Sequence, residues 1–187
     1  LETSTSHLTG IGYEELFDIG KRIRQTFPDI LRLSNDSFYF RPTDEQRTIT
    51  SAIAFVHGLT DSTNLDLDNN IDTPWERDDV IRPYETCEEY QEDVKNGKTL
   101  ADQLAAYDSS SELLAVRDRV QERLNIDYQL SATEVYTLYE YCRFHRSWSP
   151  KLRDPWCTFF TEEDLIVLEY RDDVRHYYRN GYGSAVN

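Results

Sequence analysis

Apolar residues along this chain recur at helical spacing almost throughout, and one short aromatic run departs from that rhythm. Leu16, Ile19, Ile23 and Phe27 stand three or four residues apart, which predicts a helix with these side chains as its buried stripe. Thr9 can cap its start and Pro28 ends it, while Lys21, Arg22 and Arg24 gather toward the end where the dipole favours cations. Phe38 to Phe40 read instead as a short strand that Arg41-Pro42 closes, because proline has no N–H to give a sheet ladder. Thr43-Asp44-Glu45-Gln46 then turns the chain into a second helix, with Ile49, Ala52, Ile53, Val56 and Leu59 on one face. From Thr60 to Arg82 the periodicity is lost, six aspartates crowd between Asp61 and Asp79, and the stretch reads as a connector. Its D-L-D-N-N-I-D run lacks the central glycine and the closing glutamate of a calcium loop.

Beyond Pro83 the pattern is helical to the end. Pro83 suits a first helical position, and Tyr84, Cys87, Tyr90, Gln91 and Val94 share a face until Asn96-Gly97. Thr99 to Tyr107 forms a short helix carrying Leu100, Leu104 and Ala105. Ser110 or Ser111 caps the next, in which Leu113, Leu114, Val116, Val120 and Leu124 recur. Ser131-Ala132-Thr133-Glu134 is a capping box for a helix reaching about His145, with Val135, Leu138, Tyr139 and Cys142 as its packing stripe. Thr161-Glu162-Glu163-Asp164 caps a last helix, whose Leu165, Leu168, Tyr177 and Tyr178 suit burial before Asn180-Gly181. The fold class is therefore mostly α with one or two short strands near Ser37. Residues 1–60, a connector at 61–82 and a helical region at 83–187 form its parts.

Charge narrows the partners. Of a formal net charge of −15, most sits in residues 61–112, which hold 15 acidic and 4 basic side chains. Nucleic acid and anionic membranes are excluded as partners, since phosphate backbones are held by excess lysine and arginine. The acidic third reads as a solvated face, with a surface for a cationic protein as the alternative. At 187 residues and 39% hydrophobic content the chain can bury one real core. No run reaches the ~18 apolar residues of a membrane span. The chain starts with leucine and contains no methionine, which reads as a processed or dissected piece.

Candidate chemistry is sparse. Arg47 falls in the first turn of the second helix, where unpaired N–H groups and the dipole also favour an oxyanion. A surface pair with Asp44 or Glu45 is the simpler account of the same residue. Cys142 and Cys157 flank a loop-like stretch and can close a small disulfide ring in an oxidising compartment, leaving Cys87 over. Asn35-Asp36-Ser37 is a glycosylation sequon. Cys142 and His145 stand at zinc-ligand spacing, but no second ligand pair completes a site, and no metal is expected. Tyr170, Tyr177, Tyr178 and Tyr182 suggest either a carbohydrate or base platform or ordinary helix-interface packing.

Four stretches carry a resemblance. RPTDEQRTITSAIAFVHGL, from Arg41, resembles the signature R-S-T-x-x-x-R-T-x-x-S-A-x-A-F-x-x-G-L of the histidine acid phosphatases, closest to their multiple inositol polyphosphate phosphatase branch. LTGIGYEELFDIGKRIRQTFPDIL resembles the first core helix of that branch. PYETCEEYQEDV is similar to a segment opening its helical cap. PWCTFFTEEDLIVLEYRDDVRHYYRNGYGSAVN resembles its W-C-x-x-F-T-x-E-D…L-E-Y…Y-Y-x-x-G-Y-G block.

The resemblance implies part of an α/β histidine-phosphatase core followed by its helical cap. It implies phytase-like hydrolysis of inositol polyphosphates through a phosphohistidine, with no metal or other cofactor, in the endoplasmic reticulum lumen or outside cells. Arg47 would then contact the transferred phosphate, and Arg41, a weaker candidate for phosphate, would anchor the strand end. The family's nucleophile motif R-H-G-x-R-x-P and its downstream proton-donor motif do not occur in these residues. Val56-His57-Gly58 lacks the flanking arginines, so His57 reads as a helix-end residue. The chain is thus expected to be an incomplete portion of such an enzyme. The alternative is a non-catalytic binding or interaction domain derived from the same fold.

Overall fold

The computed structural model describes residues 6–32, 34–61, 67–72, 75, 77–149, 154–180 and 183, with Ile30 and Asn35 as backbone alone. They fall into two compact units, Leu1–Pro83 and Tyr84–Asn187.

The first unit is a pair of packed helices with an irregular margin. α1 (Gly10–Thr26) starts at Thr9, whose hydroxyl accepts from the Gly12 N–H at 3.0 Å. α2 (Gln46–Thr60) starts at Glu45, which is extended and makes no side-chain cap. The two helices meet through glycine: a methyl group at Gly20 would strike the Phe55 carbonyl oxygen, and one at Gly58 would strike that of Phe17. Only residues without a Cβ allow backbones to approach this closely. Beside this crossing Val56, Leu59 and Leu67 form a small core, joined by Ile23, Leu31, Phe38, Phe40, Phe55 and Ile71.

Two expectations change here. Ile19 and Phe27, predicted on the buried stripe of α1, are 37% and 52% exposed, whereas Ile23 of that stripe packs beside Gly20 against the core that Val56 and Leu59 of α2 supply. The strand expected at Phe38–Phe40 is reduced to one parallel bridge between Phe40 and Ile71, the only β-pairing among the described residues. Phe40 N–H donates to Asn70 O at 3.0 Å, and Asp72 N–H donates to Phe40 O at 2.8 Å. A 3-10 turn at Asp68–Asn70 curls the partner segment just before the bridge, so no ladder extends that way.

The second unit is all helical among its described residues. The helix expected from Pro83 to Asn96 is broken instead: α3 is a single turn (Pro83–Thr86), followed by a π-helical stretch, Tyr90–Lys95. The Gln91 side-chain amide donates to the Tyr84 carbonyl, and Asn96 N–H reaches five residues back to Gln91 O. Of the predicted face only Val94 is buried, while Tyr84 and Cys87 are exposed. α4 (Thr99–Asp108), α5 (Ser111–Leu124), α6 (Ala132–Trp148) and α7 (Glu162–Arg179) follow, with a 3-10 turn at Trp156–Phe159. Ser110 caps α5, and capping boxes at Ser131/Glu134 and Thr161/Asp164 start α6 and α7. Asn125 ends α5 in the left-handed conformation, which asparagine tolerates.

Leu113, Val116 and Val120 of α5 pack with Leu130, Val135, Tyr139, Cys142, Phe160 and Leu168 into one core. Each fully buried leucine or valine there is worth about 1.5–3 kcal/mol. Cys142 and Cys157 are joined as a disulfide that ties α6 to the 3-10 turn. Tyr177, predicted buried, is 53% exposed.

Charged groups are buried alongside, and Asp164, Arg171 and Asp172 are each paired. Asp164 is fully buried at the start of α7, where Arg119 Nε (2.8 Å) and Arg123 Nη1 (2.7 Å) donate to it from α5. Burial pushes its carboxyl up. Hydrogen bonds from Thr161 N–H, Arg123 and Arg119 outweigh that and bring it down to about 2. Arg171 of α7 donates to both carboxylate oxygens of Asp108 on α4, at 2.6 and 2.8 Å. Asp172 accepts from the Tyr136 hydroxyl at 2.6 Å and from Arg143 at 2.8 Å. Burial, then the bond to Asp172, holds the Tyr136 phenol well above its ordinary range. No helix among the described residues is long and apolar enough to cross a membrane.

Candidate functional site

The start of α2 is built by threonines. Glu45 N–H donates to Thr43 O at 2.8 Å, and the Thr48 hydroxyl reaches back to the carbonyls of Thr43 (2.8 Å) and Glu45 (2.9 Å). This knot fixes the turn that follows Pro42; the Thr48 N–H donates to the Glu45 carbonyl at 3.0 Å, which leaves those of Gln46 and Arg47 as the first N–H groups of α2 without an intrahelical acceptor. Because no side chain caps them, their partial positive charge is available to an anion.

Arg47 stands on that first turn with its side chain 48% exposed, and its Nη1 lies 3.1 Å from Glu45 Oε2. Arg82 lies 3.9 Å from the other oxygen of Glu45. Two guanidinium groups therefore converge on one carboxylate at the mouth of the helix. An exposed pair of this kind is weak, so a ligand with more negative charge than a carboxylate can displace Glu45.

Arg41 has a different setting. Its Nε is 2.9 Å from Asp78 Oδ2, its guanidinium lies 4.2 Å from the centre of the Trp75 ring, and it is largely buried. Asp78 is also buried, and its Oδ1 accepts from the N–H groups of Val80 and Ile81 at 3.0 Å each. Arg41 thus ties the segment before α2 to the turn at residues 78–81, its charge paired with Asp78 and stacked on Trp75. His57 lies between Tyr13 and Asp68: the Tyr13 hydroxyl is 2.8 Å from Nδ1, and Asp68 Oδ1 is 3.3 Å from Nε2.

Asn35 opens a 3-10 turn (Asn35–Ser37), and its side chain lies outside the described atoms. The sulfurs of Cys142 and Cys157 are spent on each other, and His145 Nδ1 is 3.3 Å from Asp154 Oδ2, so the zinc-ligand spacing serves packing instead. Tyr182, and Asp66 of the aspartate run, lie outside the described residues. Sequence reasoning missed Arg82 and Asp78, 37 residues from Arg41, which carry no local signal of convergence.

Comparison with known proteins gives a family for the whole chain. The model of the histidine phosphatase superfamily (branch 2) matches residues 1–187. A Drosophila melanogaster protein named multiple inositol polyphosphate phosphatase 1 is 31% identical over 183 residues, covering 97% of this chain and 38% of its own length. Proteins of the same name from Gallus gallus and Homo sapiens are 27% and 23% identical, over 100% and 94% of this chain and 41% and 38% of theirs. The chain thus spans about two-fifths of the length of these relatives.

Proposed function

This chain belongs to the histidine phosphatase superfamily (branch 2), and from that premise we propose that it is part of an enzyme hydrolysing phosphomonoesters of inositol polyphosphates. The observation that carries the reading is the setting of Arg47. It is a half-exposed guanidinium at an uncapped helix start, held by one displaceable carboxylate.

In this reading two of the three non-bridging oxygens of a substrate phosphate take the place of Glu45 against Arg47 and the first N–H groups of α2. A histidine outside these residues attacks phosphorus, forming an N–P bond as the P–O bond to the inositol breaks. An acid, also outside them, gives its proton to the departing alkoxide. Water then cleaves the N–P bond and releases inorganic phosphate. Negative charge builds on the equatorial oxygens at both steps, and a preorganised guanidinium stabilises it most there. Arg41, engaged with Asp78 and Trp75, acts as an anchor for the segment leading into α2. The exposed apolar side chains Ile19 and Phe27 support a further reading, that α1 and α2 form part of a larger α/β core. The Cys142–Cys157 disulfide supports residence in the secretory pathway.

The test is Arg47→Ala in the whole enzyme, with phosphate release from inositol hexakisphosphate as readout. The turnover number is expected to fall about 10²–10³-fold, with partial recovery in Arg47→Lys. Near-normal kinetics in Arg47→Ala would remove Arg47 from the site.

A further inference from the structure

α4 and α7 of the second unit enclose a cavity of about 570 Å³, open on one side and lined by Tyr107, Tyr170, Tyr177 and Tyr178 with Asp173 and Gln103. That volume is in the range of small-molecule sites, and its make-up, aromatic walls with few polar groups, is theirs as well. The tyrosines stand in two pairs. Tyr107 and Tyr170 are 5.3 Å apart between ring centres, and Tyr177 and Tyr178 are 5.2 Å apart and nearly perpendicular. Tyr107 is fixed, because its hydroxyl donates to the Val167 carbonyl at 2.9 Å. Burial, followed by the charge of Glu112, keeps its phenol neutral above the ordinary range.

Among the described residues that line this cavity, Asp173 is the charged one. Of the arginines on α7, Arg171 is turned to Asp108, and Arg175 is turned to Asp172 at 2.9 Å. No cation among the described residues pairs with Asp173, and the carboxylate of Glu112 adds to the field around Tyr107. Tyrosine faces carry the negative side of the ring quadrupole, and a neighbouring unpaired carboxylate reinforces it. A neutral sugar would gain from the rings and could donate hydroxyls to Asp173, but only a cation also gains from its charge, and an anion would be repelled by it.

The geometry points to this cavity as a binding site for a small organic cation with an alkylated ammonium head, the head resting on the tyrosine faces beside Asp173. Such a head is weakly hydrated, so it loses little on leaving water, and the rings and carboxylate replace what it loses. None of the residues that line it belongs to the Arg47 cluster, and the site does not depend on the phosphatase reading.

Isothermal titration of the protein with choline tests it, alongside the neutral isostere in which carbon replaces the quaternary nitrogen. Choline is expected to bind saturably, and the isostere about tenfold more weakly or not at all. Asp173→Asn and Tyr170→Leu, both at exposed positions, are each expected to weaken choline about three- to tenfold without moving thermal unfolding. Equal binding of choline and its isostere would overturn the proposal, since the cavity would then read shape alone. So would saturation by a neutral methyl glucoside without choline, an absence of saturable heat with choline, or choline affinity unchanged in both variants.

Discussion

Asp164 of α7 joins its own helix start to Arg123 of α5: one carboxylate accepts the Thr161 N–H at 2.9 Å and the Arg123 guanidinium at 2.7 Å. A single buried group thus caps one helix and docks another. Its removal should be felt at both. Asp164→Asn keeps the shape but loses the charge that Arg119 and Arg123 face, and a loss of about 2–3 kcal/mol in unfolding free energy is expected by denaturant titration.

The same carboxylate gives an acid limit. Its folded value of about 2 lies below the ordinary 3.8, so protonation is favoured in the unfolded chain. Its stabilisation is complete above about pH 4 and disappears as pH falls toward 2, a loss on the order of 2 kcal/mol. Unfolding midpoints measured between pH 5 and 2 should therefore drop steeply in the natural protein. The drop should be shallower in Asp164→Asn.

Arg41→Ala separates anchoring from phosphate contact. Without the guanidinium, buried Asp78 keeps its two backbone partners but loses its counter-charge, and Trp75 loses the cation over its ring. A destabilisation of about 3 kcal/mol is expected. A variant with unchanged stability would show that Asp78 is served by Val80 and Ile81 alone.

Thiol titration reads the cysteines directly. Unreduced protein should show one reactive thiol, the exposed Cys87, and denatured, reduced protein three. Closing a loop across 15 residues is worth about 3 kcal/mol, so Cys142→Ser should lower the unfolding midpoint of the second unit by several degrees.

Gly20→Ala and Gly58→Ala place a methyl group against a backbone carbonyl rather than a yielding side chain. Each should cost about 1–3 kcal/mol, read as a lowered thermal midpoint. Gly12→Ala, which meets the flexible Leu8 side chain, should cost less.

What could be read from the chain was what neighbours in sequence decide. Thr9, Ser131 and Thr161 are caps because the N–H groups they accept from lie three residues away, and the α5 stripe of Leu113, Val116 and Val120 is local periodicity. The faces that α1 and α7 present were misread, since burial of Ile19 or Tyr177 depends on which neighbour arrives, and periodicity does not name it. The strand at Phe38–Phe40 failed for a related reason: aromatic propensity proposes a strand, but a sheet needs a partner segment to pair along its length. Arg47 could be placed on a helix start from sequence alone, with Glu45 among its two expected partners. Convergence of Arg82 on that carboxylate, and of Tyr107 with Tyr170 sixty-three positions later, depends on tertiary approach.

The crossing of α1 and α2 restricts how this chain can drift over generations. At most packed contacts an enlarged side chain can be accommodated later by a smaller one opposite. Gly20 faces the Phe55 carbonyl and Gly58 faces that of Phe17, so what stands opposite is main chain, which no codon change can shrink. Both positions already hold the smallest residue. A heritable change at either has no second-site remedy short of moving the helices apart, and that displacement would carry the Arg47 turn with it.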